Sequence, residues 1–182
     1  MTGAVGRRYA RALFALAKQA GTLDLAATQL ANLAAIAADE TIGPVLRNPV
    51  LSRQRRAELV QLLGRELGLS DLLVRFLSVL AEHNRLGELP RIHDHFQYLL
   101  DAELGRVRVT IRSARPLDPA QEQQIVTTFA RLTAKQVLPT SVVDPELLGG
   151  VMVEVEGKIY DGSVRTQLEQ LAKELTGARS SP

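Results

Sequence analysis

The residues with the clearest potential for chemistry lie in the segment DPELLGGVMVEVEGKIYDGSV, residues 144–164, which contains paired glycines and a Gly-Lys step. A phosphate-binding P-loop requires the pattern G-x-x-x-x-G-K-[ST] between a strand and a helix. Here six residues separate Gly150 from Gly157, and Ile159 follows Lys158 where the pattern needs serine or threonine. The residues between the glycines alternate apolar and polar like a strand. The segment therefore predicts a strand–turn–strand structure rather than a phosphate loop.

In that structure the glycines provide backbone shape, because glycine adopts positive φ angles and permits close backbone approach. Glu156-Gly157 is predicted to form the turn, and Ser163 to cap a following helix. The predicted structural motif comprises Asp144, Gly149, Gly150, Gly157, Asp161, Gly162 and Ser163.

No other residues form a recognisable catalytic or metal-binding pattern. The three histidines are His83, His93 and His95, and the i, i+2 spacing of the last two places them on nearly opposite faces of a helix. The chain has no cysteine, no G-x-S-x-G signature and no close carboxylate pair in an apolar setting. We therefore predict no catalytic, cofactor-binding or metal-binding residues, no cofactor and no small-molecule substrate.

Composition and charge suit a folded protein without a dominant nucleic-acid face. The chain has 182 residues, of which 46% are hydrophobic, and its net charge is +2. Residues 1–105 contain 12 basic and 11 acidic residues, and residues 106–182 contain 10 and 9, so neither half concentrates charge. No segment approaches the roughly 18 uninterrupted apolar residues of a membrane span. The cluster Arg53, Arg55 and Arg56 supports an alternative, an RNA-binding regulator, although no aromatic residues interleave with it to stack bases.

The elements that must position these residues change character near Gly105. Residues 1–105 show apolar residues at helical spacing and predict an all-α bundle of six helices, with Ser52 and Ser70 as N-caps. From Arg106 the period becomes two, and the pattern predicts a small α/β domain of β-α-β-β-α order over residues 106–182. Asp118 and Gln121 are expected to form a capping box for the helix between the first two strands.

Two of the predicted helices carry more apolar surface than a bundle core requires. The first has a main stripe that includes Tyr9, Ala12 and Leu16, and a second stripe of Ala10, Phe14 and Ala17. The fifth, from Asp71, is apolar nearly all round. A second stripe indicates either a central, fully buried helix or a groove for a partner helix, and the pattern leaves both open.

Four segments resemble the delta subunit family of ATP synthase, whose mitochondrial counterpart is the oligomycin-sensitivity-conferring subunit. They are RRYARALFALA, VLAEHNRLGELPRIHDHFQYL, VTIRSARPLDPAQ and DPELLGGVMVEVEGKIYDGSVRTQLEQL, in the family's order along nearly the whole chain. Two details differ from the commonest form: His83-Asn84, and the turn Glu156-Gly157-Lys158. Both lie at turns or element ends.

The resemblance implies a non-catalytic stator subunit that links the catalytic head to the peripheral stalk, so that rotor torque is used for ATP synthesis. Residues 1–105 would bind N-terminal helices of the alpha subunits through the first and fifth helices, and residues 106–182 would bind the b subunits. It further implies a peripheral location on the cytoplasmic side of a bacterial membrane, or an organellar inner membrane or thylakoid. The residues expected near the alpha-subunit groove are Tyr9, Ala12, Leu13, Leu16, Val79 and Leu80.

Overall fold

A computed structural model of the chain describes residues 3–147 and 149–163. The chain divides between Leu100 and Asp101 into two compact units, named here the helical unit and the α/β unit. This coarse organisation, a mainly helical part followed by a small α/β part, agrees with the sequence prediction. None of the described helices combines the length and apolar character that crossing a lipid bilayer requires.

The helices that begin in the helical unit follow one another through short connections. They are α1 (Gly3–Gln19), α2 (Leu23–Ala38), α3 (Ile42–Arg47), α4 (Arg53–Glu66), α5 (Asp71–Glu82), a short 3-10 helix (Leu86–Glu88) and α6 (Leu89–Glu103). Gly21, Gly68 and Gly105 follow the ends of α1, α4 and α6 with φ between 57° and 67°, in the left-handed region that stops a helix. The unit boundary falls within α6, and Asp101, the first residue of the α/β unit, forms an ion pair with Arg108 of the same unit.

One apolar core unites the helical unit. It draws buried side chains from all six helices, and its largest fully buried members include Leu13, Leu30, Leu77, Leu80 and Phe96. Phe14 contacts Phe96 edge to face, with ring centroids 5.6 Å apart. Burial of each such side chain contributes about 1.5–3 kcal/mol, so this core supplies the main stabilisation of the unit.

Gln29 is a buried polar residue that joins α2 to the connection between α4 and α5. Its Nε2 donates to the Gly68 carbonyl oxygen at 3.1 Å, and its Oε1 accepts from Ser70 N at 3.1 Å and Ser70 Oγ at 2.8 Å. Ser52 caps α4 as predicted, since its side chain accepts from Arg55 N. Ser70 occupies the N-cap position of α5 as predicted, but its hydroxyl donates to Gln29 instead of accepting from the first turn of the helix.

The α/β unit contains a four-stranded mixed sheet. Its elements are β1 (Arg106–Ser113), α7 (Pro119–Thr133), β2 (Gln136–Val143), β3 (Gly150–Val155) and β4 (Lys158–Ser163). The strand order is β2-β1-β3-β4, with β1 parallel to β2 and antiparallel to β3, and β3 antiparallel to β4. Pro139 lies in β2, an edge strand, as a residue without a backbone donor requires. The helix predicted after Ser163 lies outside the described residues.

A second apolar core lies between α7 and one face of the sheet. The inward residues of β1 are Val107, Val109 and Ile111, and Phe129 from α7 packs with them. The predicted capping box starts α7: the Asp118 side chain accepts from Gln121 N at 2.8 Å, and the Gln121 side chain accepts from Asp118 N at 3.2 Å.

The strand–turn–strand structure predicted for residues 150–163 is observed as the β3–β4 hairpin. Glu156 and Gly157 form its two-residue turn with φ of 50° and 77°, the positive values that such a turn requires. Lys135 Nζ lies 2.6 Å from Glu156 Oε1 and ties the turn to the start of β2. Gly150 opens β3 with φ of 81°. A Cβ on Gly162 would lie 3.2 Å from the Val151 carbonyl oxygen, so a larger residue there would press on the neighbouring strand.

Asp144 lies in the connection before β3, whereas Asp161 lies within β4. Asp144 N donates to the Ser113 carbonyl oxygen at 2.8 Å, and Asp144 Oδ1 accepts from Glu146 N at 3.1 Å, which shapes the connection from β2 to β3. Asp161 pairs with Met152 in the β3–β4 ladder, and Ser163 pairs with Gly150. Gly149 immediately precedes β3.

We expect Gln29→Ala to lower the free energy of unfolding of the helical unit by about 1–3 kcal/mol, because three hydrogen bonds are lost and Gly68 O and Ser70 N lose their partner. Gln54→Ala is the matched control, since Gln54 is exposed and bonds only one turn along its own helix. Denaturant unfolding followed by circular dichroism measures both. Equal losses in the two variants would contradict the role given to Gln29.

We expect Gly157→Ala to weaken the β3–β4 hairpin by roughly 1–2 kcal/mol, because alanine is strained at a φ of 77° while no atom lies within 4 Å of the added Cβ. Gly157→Asn should cost less, since asparagine tolerates the left-handed region. Hydrogen exchange of the β3 and β4 amides measures the effect. Loss of protection equal in both variants would show that φ is not the cause.

Candidate partner-binding groove

In the part of the chain that the structure describes, the histidines form no metal cluster, and Gly150 and Gly157 lie too far apart for one phosphate. Among the described residues, no group of three or more histidine or acidic side chains is placed to hold a metal ion. His83 Nδ1 lies 2.9 Å from the Val79 carbonyl oxygen, and His93 pairs with the adjacent Asp94. Gly150 and Gly157 lie at opposite ends of β3, about 20 Å apart at the rise of an extended strand. Their backbone amides therefore cannot surround one phosphate.

An apolar groove lies between α1 and α5 of the helical unit. Its volume is about 610 Å³. The residues that line it, called the groove residues below, are Tyr9, Ala12, Leu13, Leu16, Gln19, Ala20, Leu72, Arg75, Phe76 and Val79.

On α1 the structure separates the two apolar stripes. Ala10, Leu13 and Ala17 are fully buried in the core, whereas Ala12 is exposed and 51% of Leu16 is exposed. The sequence pattern left open which stripe meets the core. In the structure Ala10 and Ala17 of the second stripe are buried in the core, and Tyr9, Ala12 and Leu16 of the main stripe line the groove. Leu13 belongs to both surfaces, since its fully buried side chain forms part of the groove floor.

On α5 the structure rules out a helix that is buried on all sides. Leu73, Leu77 and Leu80 are fully buried, which gives the helix one core stripe. Leu72 and Phe76 are only partly buried, and 43% of Val79 is exposed. The helix is therefore not enclosed on all sides, and its second stripe is open along the groove.

The placement of Leu80 in the groove needs correction. Its side chain is fully buried in the core, and it is not one of the groove residues. Tyr9, Ala12, Leu13, Leu16 and Val79 do come together.

Leu72, Arg75 and Phe76 also line the groove and were not singled out from the sequence. Their spacing with Val79, at i, i+3, i+4 and i+7, would have identified them once Val79 was known to face outward. Because α5 is apolar nearly all round, periodicity alone did not reveal which stripe is open.

Aromatic contacts fix the two walls of the groove against each other. The Tyr9 and Phe76 rings meet edge to face with centroids 6.3 Å apart. Arg8 Cζ lies 5.6 Å from the centroid of the Tyr9 ring, within the range of a cation–π contact. Among the described residues that line the groove, Arg75 alone carries a full charge. The groove is therefore apolar along its length, with positive charge beside the aromatic pair.

The sequence comparisons with known proteins identify one family. A family model described as "ATP synthase delta (OSCP) subunit" matches residues 5–175. The ATP synthase subunit delta of Anaeromyxobacter sp. (strain Fw109-5) is 41% identical over 174 residues, which cover 95% of this chain and 97% of that protein. The corresponding subunit of Myxococcus xanthus is 41% identical over 174 residues, with coverage of 94% and 96%.

The fold comparison agrees with the sequence comparisons. A chain in the cryo-EM structure of the Toxoplasma gondii mitochondrial ATP synthase hexamer superposes with a TM-score of 0.71. The match covers 97% of this chain and 98% of that chain, at 21% identity. At this identity the comparison shows a shared fold.

We expect Leu80→Ala and Leu16→Ala to separate core from groove, because both remove the same atoms. Leu80→Ala should lower the free energy of unfolding by about 2–5 kcal/mol, since it leaves a cavity in the core. Leu16→Ala should cost less than about 1 kcal/mol, since half of that side chain is already in water. Denaturant unfolding measures both, and similar losses would contradict the division between core and groove.

Proposed function

The chain belongs to the ATP synthase delta (OSCP) subunit family, and from this premise we propose that its groove holds the apolar face of an alpha subunit's N-terminal helix. As a member of that family the protein is a non-catalytic stator subunit, linking the catalytic head of the ATP synthase to the peripheral stalk. The alternative of an RNA-binding regulator is not supported, because the family and the relatives are ATP synthase subunits.

The observation that carries the proposal is the open apolar stripe on both α1 and α5. An amphipathic helix docks by laying residues at i, i+3, i+4 and i+7 into a groove of this kind. Ala12 and Ala20 are the small groove residues on the α1 side, and they allow a partner backbone to approach closely. The Tyr9–Phe76 contact holds the walls in place before the partner arrives, which lowers the entropic cost of binding.

We assign the contact with the head to residues 1–105 and treat α1 to α6 as one six-helix bundle. The support for this finer description is the single core cluster, to which every one of these helices contributes a buried side chain. Such a core gives the groove a rigid base, and α1 and α5 each anchor one wall of it.

The contact with the b subunits of the peripheral stalk is assigned to residues 106–182. Support comes from an apolar cavity of about 500 Å³ beside α7 and the β3–β4 hairpin, lined in part by Ile125, Phe129, Val153 and Tyr160. The Phe129 and Tyr160 rings meet edge to face at 5.2 Å and brace the hairpin against α7. A stalk helix could bury its apolar face there.

A stator joint has to resist torque for as long as the rotor turns, so it needs slow dissociation rather than chemistry. Burial of an apolar helix in a preformed groove meets that need, because most differences in affinity among related complexes arise in the dissociation rate. We place the protein on the cytoplasmic side of the bacterial cell membrane, peripheral and held there by the assembled enzyme. Support for a bacterial setting is that the relatives named above are bacterial.

We expect Ala12→Asp to weaken binding of the alpha subunit's N-terminal helix by roughly tenfold or more, because a carboxylate would be desolvated in the filled groove. Ala15→Asp is the matched control: it adds the same charge to an exposed position of α1 that does not line the groove. Isothermal titration calorimetry with a synthetic peptide of that helix measures both.

Circular dichroism of each variant establishes that the chain remains folded. Normal binding by folded Ala12→Asp would reject the groove as the docking site. Equal weakening in the two variants would assign the effect to net charge rather than to the groove.

A further inference from the structure

The helices that form the groove carry positive charge that a bound partner would meet. The α1 wall belongs to a helix with four basic residues, Arg7, Arg8, Arg11 and Lys18, and no acidic residue. On α5, Arg75 lines the groove itself. The two acidic residues of α5, Asp71 and Glu82, lie at its ends and do not line the groove, and Glu82 pairs with Arg53 of α4 at 3.7 Å.

Each wall of the groove has a cation beside it. On α1, Arg8 sits over the ring of Tyr9, which lines the groove. On α5, Arg75 itself lines the groove, next in the chain to Phe76, whose ring contacts that of Tyr9. An apolar helix bound between them would have its flanks beside these guanidinium groups.

We propose that the groove selects a helix whose apolar stripe is flanked by acidic residues, and that Arg75 is the specificity-determining residue on the α5 wall. This inference rests on the proposed docking of a helix in the groove. Arg75 Nε donates to the Asp71 carbonyl oxygen at 3.3 Å, which holds the side chain back along its own helix beside the groove. The remaining N–H groups of the guanidinium can then donate hydrogen bonds to a carboxylate of the partner.

Charge pairs between the groove arginines and the flanks of a bound helix mainly determine which partner binds. Charge pairs at the rim of an interface speed association and discriminate against like-charged partners, while the apolar stripe holds the complex together. Binding also excludes water from the groove and strengthens the attraction between the guanidinium and a carboxylate. A helix with basic flanks would meet repulsion from Arg8 and Arg75 at once.

The test uses the full chain and two synthetic amphipathic peptides with the same length and the same leucine and isoleucine stripe. One peptide carries glutamate on both flanks of the stripe and the other carries lysine. We expect the native chain to bind the glutamate peptide roughly tenfold more tightly at low salt, with the preference shrinking as salt is added. Titration calorimetry gives the dissociation constants.

The variant Arg75→Glu should reduce or reverse this preference, and Arg75→Gln should fall between it and the native chain. Arg65→Glu is the control, because it makes the same charge change at an exposed position of α4 that does not line the groove. Equal binding of both peptides by the native chain, or equal shifts in Arg75→Glu and Arg65→Glu, would overturn the selectivity.

The variant Ala12→Asp shows whether a negative result concerns the charge selectivity or the docking site itself. If Ala12→Asp weakens both peptides while the native chain shows no preference between them, the groove stands and the role of Arg75 is wrong. If neither peptide binds the native chain, or if Ala12→Asp binds both normally, the docking site itself is wrong and the selectivity falls with it.

Discussion

The burial of one stripe of α1 and one stripe of α5 in a common core is the constraint on which the helical unit depends. Ala10, Leu13 and Ala17 on α1, with Leu77 and Leu80 on α5, are fully buried. Because those stripes already satisfy the core, the adjacent stripes of the same helices can remain open without unfolding the unit. The groove therefore exists only because each helix uses two neighbouring faces for two purposes. Leu13 contributes to both, since it is buried and also lines the groove.

The α/β unit achieves its shape by different means. Its fixed points are backbone conformations rather than a large core: the left-handed turn at Glu156 and Gly157, the positive φ of Gly150 and the anchored connection at Asp144. These positions define where β3 and β4 lie relative to α7, and thereby the apolar cavity beside Tyr160. A subunit that transmits force needs such rigid contacts.

Local signals in the sequence predicted the local structure well. The change of period after Gly105 gave β1, the spacing of Asp118 and Gln121 gave the capping box, and Glu156-Gly157 gave the turn. Each of these depends on residues that are close in the chain. Long-range packing determined the rest: the Ser70 hydroxyl bonds to Gln29, 41 residues away, and no local pattern indicates that.

The groove is the feature that the sequence predicted least completely. When two apolar stripes lie side by side on one helix, periodicity establishes that both exist but not which one meets the core, so Leu80 and Val79 could not be separated beforehand. Arg75 lines the groove because α1 packs beside α5, where Tyr9 of one helix contacts Phe76 of the other. Such a contact between different helices cannot be read from the spacing of residues within one helix.

An exposed apolar groove can cause unspecific association, and the small residues along the α1 side of this groove reduce that tendency. Contiguous apolar patches larger than a few hundred square ångströms favour unspecific association, and soluble chains rarely expose them without a purpose. Alanine at positions 12 and 20 limits the exposed apolar area, while Leu16 and Val79 supply larger contacts. The positive charges that we propose favour an acidic-flanked partner would also repel a second copy of the same surface, so one arrangement of residues would serve both ends.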